Sequence, residues 1–142
     1  MLHVFSYGSL MFDQVWTRVV TGIYDRCEAI LPGYERIGIR DEVYPAVIPA
    51  ASSQVQGILY LDVAPADMIR LDQFEGDYYF RKTEEVITLD RKAMTAEVYV
   101  LSALCYPRIS PGPWDPVHFS TAGLQTFLLT CMDPDSRKLK HG

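Results

Sequence analysis

Cysteine and histidine are scarce in this chain, three of each among 142 residues. Cys27, Cys105 and Cys131 are an odd number and lie far apart, and His3, His118 and His141 are equally scattered. No close pair has the spacing a zinc site uses, so the reading is of single buried thiols in a reducing compartment, with no metal. Basic runs are missing as well. Thirteen Lys/Arg face 18 Asp/Glu, a net charge of −5, and none of them cluster densely enough to track a phosphate backbone; nucleic acid is not an expected partner. No stretch approaches the roughly 18 apolar residues of a membrane span. The first ten residues have neither the basic lead nor the apolar run of a secretion signal. A cytoplasmic protein with no membrane partner is the expectation. Internal repeats and low-complexity segments are absent too.

What is present is an ordinary globular composition, 49% hydrophobic and 22% charged, at a length suited to one domain. Such a chain buries about two thirds of its unfolded surface and needs no covalent staple. The domain is expected over residues 1–132, followed by a polar, disordered tail over 133–142.

Along the chain, His3-Val4-Phe5-Ser6 reads as a first strand, stopped by Tyr7-Gly8-Ser9. Phe12, Val15, Trp16, Val19 and Val20 then fall at helical spacing, predicting a helix over roughly 11–20. A strand is expected over 23–31, ending at a Pro32-Gly33 turn. Val55, Gly57, Leu59, Leu61 and Val63 alternate as one face of a central strand, with Gly57 where another backbone comes close. Pro65 opens a short helix over 65–75, whose apolar face is Met68, Leu71 and Phe74 and whose C-terminal cap is Gly76. Residues 79–89 and 95–101 read as an antiparallel hairpin. Four prolines between 106 and 116 predict an irregular loop, and a C-terminal helix follows from about Ser120.

Three places carry candidate chemistry. Tyr7-Gly8-Ser9-Leu10 joins a strand to a helix, where backbone N–H groups and the Ser9 hydroxyl either hold a small anion such as a carboxylate or simply make and cap a turn. Glu75 lies four residues after Leu71 on the core face, at the negative end of its helix and three residues after Asp72. Burial, dipole and neighbour all disfavour its charge, which suits a general base near neutrality; the alternative is a half-exposed carboxylate paired with Arg81. Tyr79 and Arg81 share one face of a strand and Tyr78 and Phe80 the other, either lining a pocket or packing as strand aromatics do. Glu84-Glu85 and Asp41-Glu42 read as solvated surface, since neighbours in a strand face opposite ways.

Taken together, Val4-Phe5-Ser6-Tyr7-Gly8-Ser9-Leu10-Met11, Pro32-Gly33-Tyr34, Tyr44-Pro45-Ala46, Val55-Gln56-Gly57-Ile58-Leu59-Tyr60 and Leu71-Asp72-Gln73-Phe74-Glu75-Gly76-Asp77-Tyr78-Tyr79-Phe80-Arg81 resemble the γ-glutamylcyclotransferase superfamily. The likeness is to its branch of γ-glutamylamine cyclotransferase and avirulence-induced-gene-like proteins. It runs from residue 4 to residue 101 and leaves the remainder unmatched. It implies an α+β fold, a small mixed β-barrel with short helices, around a cavity floored by the 7–10 turn. It also implies release of 5-oxoproline from a small γ-glutamyl substrate without a cofactor. In that reading Glu75 is the acid–base group, the Gly8, Ser9 and Leu10 backbone region holds the α-carboxylate, Tyr7 binds substrate with them, and Tyr79 helps shape the site. A non-catalytic binder of small carboxylates and an interaction scaffold are the competing readings, because one fold hosts many functions.

Overall fold

A computed structural model describes residues 2–40 and 44–110. Five strands close into a barrel. β1 (Leu2–Ser6), β2 (Arg26–Ile39), β3 (Pro45–Val63), β4 (Tyr79–Thr88) and β5 (Ala93–Leu101) follow one another round the ring as β3-β1-β5-β4-β2, and β2 pairs with β3 to complete it. β1 lies parallel to β5 and every other pairing is antiparallel, so the barrel is mixed, and a short β6 (Ile109–Ser110) adds to the end of β2. Two short helices, α1 (Asp13–Val19) and α2 (Pro65–Glu75), pack outside it. The small mixed barrel with short helices is therefore the architecture the family resemblance implied.

Alternation along the strands divides the apolar residues into two cores. Phe5, Tyr7, Leu31, Val47, Val55, Leu59, Val86 and Val98 form one cluster, and Val4, Tyr60, Tyr99 and Leu101 join α1 and α2 in the other. The first follows the inward face of the ring. β1 contributes to both, Val4 to the helices and Phe5 to the barrel.

Several boundaries differ from the expected ones. The first helix is shorter, because Ser9–Met11 form a separate 3-10 turn before α1. Pro32-Gly33 does not end β2. Instead, Gly33 takes a left-handed φ of 81°, and the register jumps from Pro32 opposite Gln54 to Tyr34 opposite Pro49. Proline has no N–H to lose from a ladder and glycine accepts the positive φ, so the pair bends one long strand rather than turning the chain back. The central strand correspondingly extends back to Pro45. Val63 leaves the face of Val55 and Leu59 because Asp62, with φ 53°, and a register shift between Leu2 and Val4 break the alternation. Tyr78 belongs to a 3-10 turn, Gly76–Tyr78, and not to the strand. The hairpin is found with β5 starting two residues early, at Ala93.

Cys27 and Cys105 are partly exposed and unpaired, not buried, since each lies at the margin of a core cluster. Glu84 is half-buried beside Lys82 and Glu85 is exposed. A 3-10 turn, Ala103–Arg108, contains Pro107. The other prolines of the loop, the C-terminal helix from Ser120, the tail, Asp41-Glu42, Cys131, His118 and His141 lie outside the described residues. Among the described residues no helix is long and apolar enough to cross a membrane, and no group of His, Cys, Asp and Glu could hold a metal ion.

The close approach at Gly57 is real. A Cβ there would stand 2.2 Å from the Ser6 carbonyl oxygen and 2.7 Å from the Phe5 ring. Gly57→Ala must push β1 off β3 or strip a buried carbonyl of its ladder partner. The expected cost is about 3 kcal/mol or more, read as a lowered midpoint in denaturant unfolding; an unchanged midpoint would show that β1 is free to shift.

Candidate active site

At Ser6 the first strand ends, and the chain turns through Tyr7 and Gly8 into the 3-10 turn at Ser9–Met11, in which the Met11 N–H donates to the Gly8 carbonyl at 3.0 Å. Two long-range ties hold this turn. Tyr60 donates its hydroxyl to the Leu10 carbonyl at 2.7 Å, and Arg26 donates to the Met11 carbonyl at 3.3 Å. Tyr60 is itself fixed between Trp16, stacked on it at 3.6 Å with planes 2° apart, and the Arg26 guanidinium 5.5 Å from its ring centre. Burial pushes the Tyr60 phenol up to about 12, so it remains a donor at any ordinary pH.

The turn forms one wall of a cleft whose empty space, open mouth included, is about 480 Å³. Tyr7, Gly8, Ser9, Leu10, Tyr44, Pro45, Phe74, Glu75, Tyr79 and Tyr99 are among its lining residues. All six residues singled out as candidate site residues therefore meet here. They meet in different ways. The Tyr7 side chain belongs to the barrel core, where its hydroxyl donates to the Tyr99 carbonyl at 2.5 Å, and the Leu10 side chain packs against the helices. Ser9 is nearly buried and opens the 3-10 turn, whose N-cap is Gly8. Tyr79 donates to the Pro45 carbonyl at 2.7 Å. Pro45 in turn crowds Gly8, where a Cβ would lie 2.7 and 2.8 Å from the proline ring.

Glu75 ends α2 just before Gly76, the residue at its C-terminal cap. Its carboxyl lies in the cleft wall, where desolvation first and the charge of Asp72 second push its pKa up to about 8. Burial together with a like charge is the combination that keeps a carboxylic acid protonated near neutrality. Arg81 does not neutralise it. That guanidinium is directed to Asp72 at 3.4 Å and to Glu97 at 3.8 Å.

Asp67 escaped the sequence reading. It is 2% exposed and accepts hydrogen bonds from the Thr21 and Gly22 N–H groups, the Tyr24 hydroxyl and Arg70, at 3.0, 2.9, 2.6 and 2.8 Å. Burial alone would raise its pKa, but these donors outweigh it and hold the carboxyl at about 2. Asp67 sits four residues before Leu71, as Glu75 sits four after, so the spacing that marked Glu75 as an acid on a core face marks Asp67 too. One is satisfied by donors and structural; the other faces a cavity.

The protonated state of Glu75 has a consequence for stability. The folded protein keeps this proton to about pH 8, whereas an unfolded glutamate near its model value of 4.5 has already lost it. Stability from this group is thus full below about pH 4.5 and is lost as pH rises through 8. Glu75→Gln removes the loss. The variant should gain on wild type steadily across that interval and be the more stable protein at pH 9, measured by urea unfolding; parallel curves would show that Glu75 titrates normally.

Comparison with known proteins agrees with this picture. The sequence profile of the family described as "Gamma-glutamyl cyclotransferase, AIG2-like" matches residues 4–116, which extends the likeness past residue 101. AIG2-like protein D of Arabidopsis thaliana is 32% identical over 127 residues, 88% of this chain and 83% of that protein. An Arabidopsis thaliana protein of known solution structure superposes with a TM-score of 0.71 at 28% identity, covering 98% of this chain and 81% of the other. A structure named gamma-glutamyl cyclotransferase shares the fold, with a TM-score of 0.65 at 17% identity over 98% of this chain and 86% of its own.

Proposed function

The chain belongs to the AIG2-like gamma-glutamyl cyclotransferase family, and from that premise we propose that it releases 5-oxoproline and a free amine from a small γ-glutamyl compound, with Glu75 as the acid–base group. The observation that carries the proposal is that a glutamate of raised pKa and a backbone turn line one cleft. A carboxylate binder needs only the turn, and a scaffold needs neither. Neither role accounts for a half-buried carboxyl of raised pKa at a cavity wall.

In this reading the 7–10 turn holds the substrate's α-carboxylate. The first N–H groups of a helical turn have no partner within it and point outward. Glu75 takes a proton from the α-ammonium, and the freed nitrogen attacks the γ-carbonyl carbon. The tetrahedral intermediate then expels the original amide nitrogen, which takes the proton that Glu75 returns; the ring nitrogen sheds its second proton as it becomes an amide, and that proton completes the ammonium group of the departing amine. Nucleophile and electrophile belong to one molecule, so the protein's task is to hold the folded conformer and to move protons from the attacking to the departing nitrogen. Tyr79, by anchoring Pro45, shapes the wall beside Gly8.

A panel of γ-glutamyl amines, amino acids and isopeptides, scored for 5-oxoproline, tests the reaction and reads its specificity together. Glu75→Gln should retain the fold and lose roughly 10²- to 10⁴-fold in turnover; full activity in that variant removes the assignment. Because the base form of Glu75 is the minor one below its pKa of about 8, kcat/KM should fall about tenfold per pH unit on the acid side of that value. A profile flat from pH 5 to 9 would count against it. Gly8→Ala, which drives a methyl into Pro45, should raise KM well beyond any change in kcat. A KM equal to that of wild type would mean that the turn does not hold the substrate.

A further inference from the structure

Behind Glu75 lies a chain of polar groups that the proposed reaction does not use. The Tyr99 hydroxyl donates to Asp72 Oδ1 at 2.6 Å, and Arg81 Nε approaches the same oxygen at 3.4 Å. Arg81 is also held by Glu97, whose other oxygen accepts from the Thr83 hydroxyl at 2.6 Å. Asp72 is thereby fixed from two strands, one helical turn before Glu75. We propose that Asp72, clamped by Tyr99 and Arg81, is a positioning residue that sets the pH at which Glu75 works.

This inference rests on Glu75 as the acid–base group and adds the groups that tune it. Among the described residues, the ionisable groups that share the cleft with Glu75 are Tyr7 just past β1, Tyr44 just before β3, Tyr79 on β4 and Tyr99 on β5, with Asp72 on its own helix and Arg81 on β4 beside Asp72. Burial first, with Glu75 also contributing, holds Tyr7 well above its ordinary value; burial and then the bond to Asp72 do the same for Tyr99. Both phenols therefore stay neutral donors across the working range. The Arg81 guanidinium divides between two carboxylates. Asp72 is left as the nearby charge that opposes ionisation of Glu75. Tyr99 has a second duty, since its backbone carbonyl accepts the Tyr7 hydroxyl. One residue thus joins the strand that leads into the turn to the carboxylate that tunes the base.

The test is a titration of the Glu75 side-chain carboxyl by 13C NMR in protein labelled at glutamate, with the signal assigned by its absence in Glu75→Gln, run beside pH–rate profiles. Asp72→Asn keeps an acceptor for Tyr99 while removing the charge. It should move both the Glu75 midpoint and the acid limb of kcat/KM down by about one pH unit. Tyr99→Phe, which frees Asp72 from its clamp, should move them the same way by less. An unmoved Glu75 signal in Asp72→Asn overturns the proposal; a shift in that variant but not in Tyr99→Phe removes Tyr99 from it. If no γ-glutamyl compound is turned over and the Glu75 signal still moves, the functional reading fails while the tuning by Asp72 stands.

Discussion

Contact between β1 and β3 at Gly57 is the constraint on which the remaining architecture depends. Only a residue without a side chain lets the Ser6 carbonyl and the Phe5 ring come so near the third strand, and only at that distance does β1 fit between β3 on one side and β5 on the other. With β1 seated, its alternation sends Phe5 into the barrel and Val4 under the helices. Its end then has one direction left, into the turn at Gly8. The floor of the cleft is thus a product of barrel closure rather than a separate feature added to it.

The electrostatics of the cleft follow from where each carboxylate finds its donors. Asp67 and Glu75 ride on the same face of α2, separated by two turns. The first is met by a loop, a phenol and an arginine and is strongly acidic. The second is met by a cavity and the charge of Asp72 and holds its proton. The helix dipole pushes the same way, favouring charge on Asp67 in the first turn and opposing it on Glu75 in the last, and the surroundings add to it, in agreement with the general rule that donors to the charged form lower a pKa while desolvation and like charge raise it.

Much of this was legible in the residues alone. Short-period signals read well. The helix at Pro65–Glu75 with its glycine cap, the hairpin of β4 and β5, and the close approach at Gly57 all follow from local spacing. The convergence of Tyr7 to Leu10, Glu75 and Tyr79 followed from the family resemblance, since those residues are brought together only by closure of the ring. Pro32-Gly33 misled because the same dipeptide serves a reversal or a bend, and the partner strand decides which. Tyr60, Tyr99 and Asp67 were missed for a related reason. An aromatic residue in a strand or an acid in a helix acquires its role from a donor or acceptor dozens of residues away, and no window along the chain contains both.

The parallel pairing of β1 with β5 also says something about how the protein is made. Of the described strands, the first to be synthesised has to wait for one of the last, and the bond from Tyr7 to Tyr99 spans 92 residues. Contacts so distant in sequence carry a large loop-closure cost and form slowly. Until then β1, apolar and unpaired on one edge, is the segment of the nascent chain most in need of protection from other chains. The cleft is therefore assembled late in folding, and a nascent chain halted before β5 emerges has every residue of the floor and no floor.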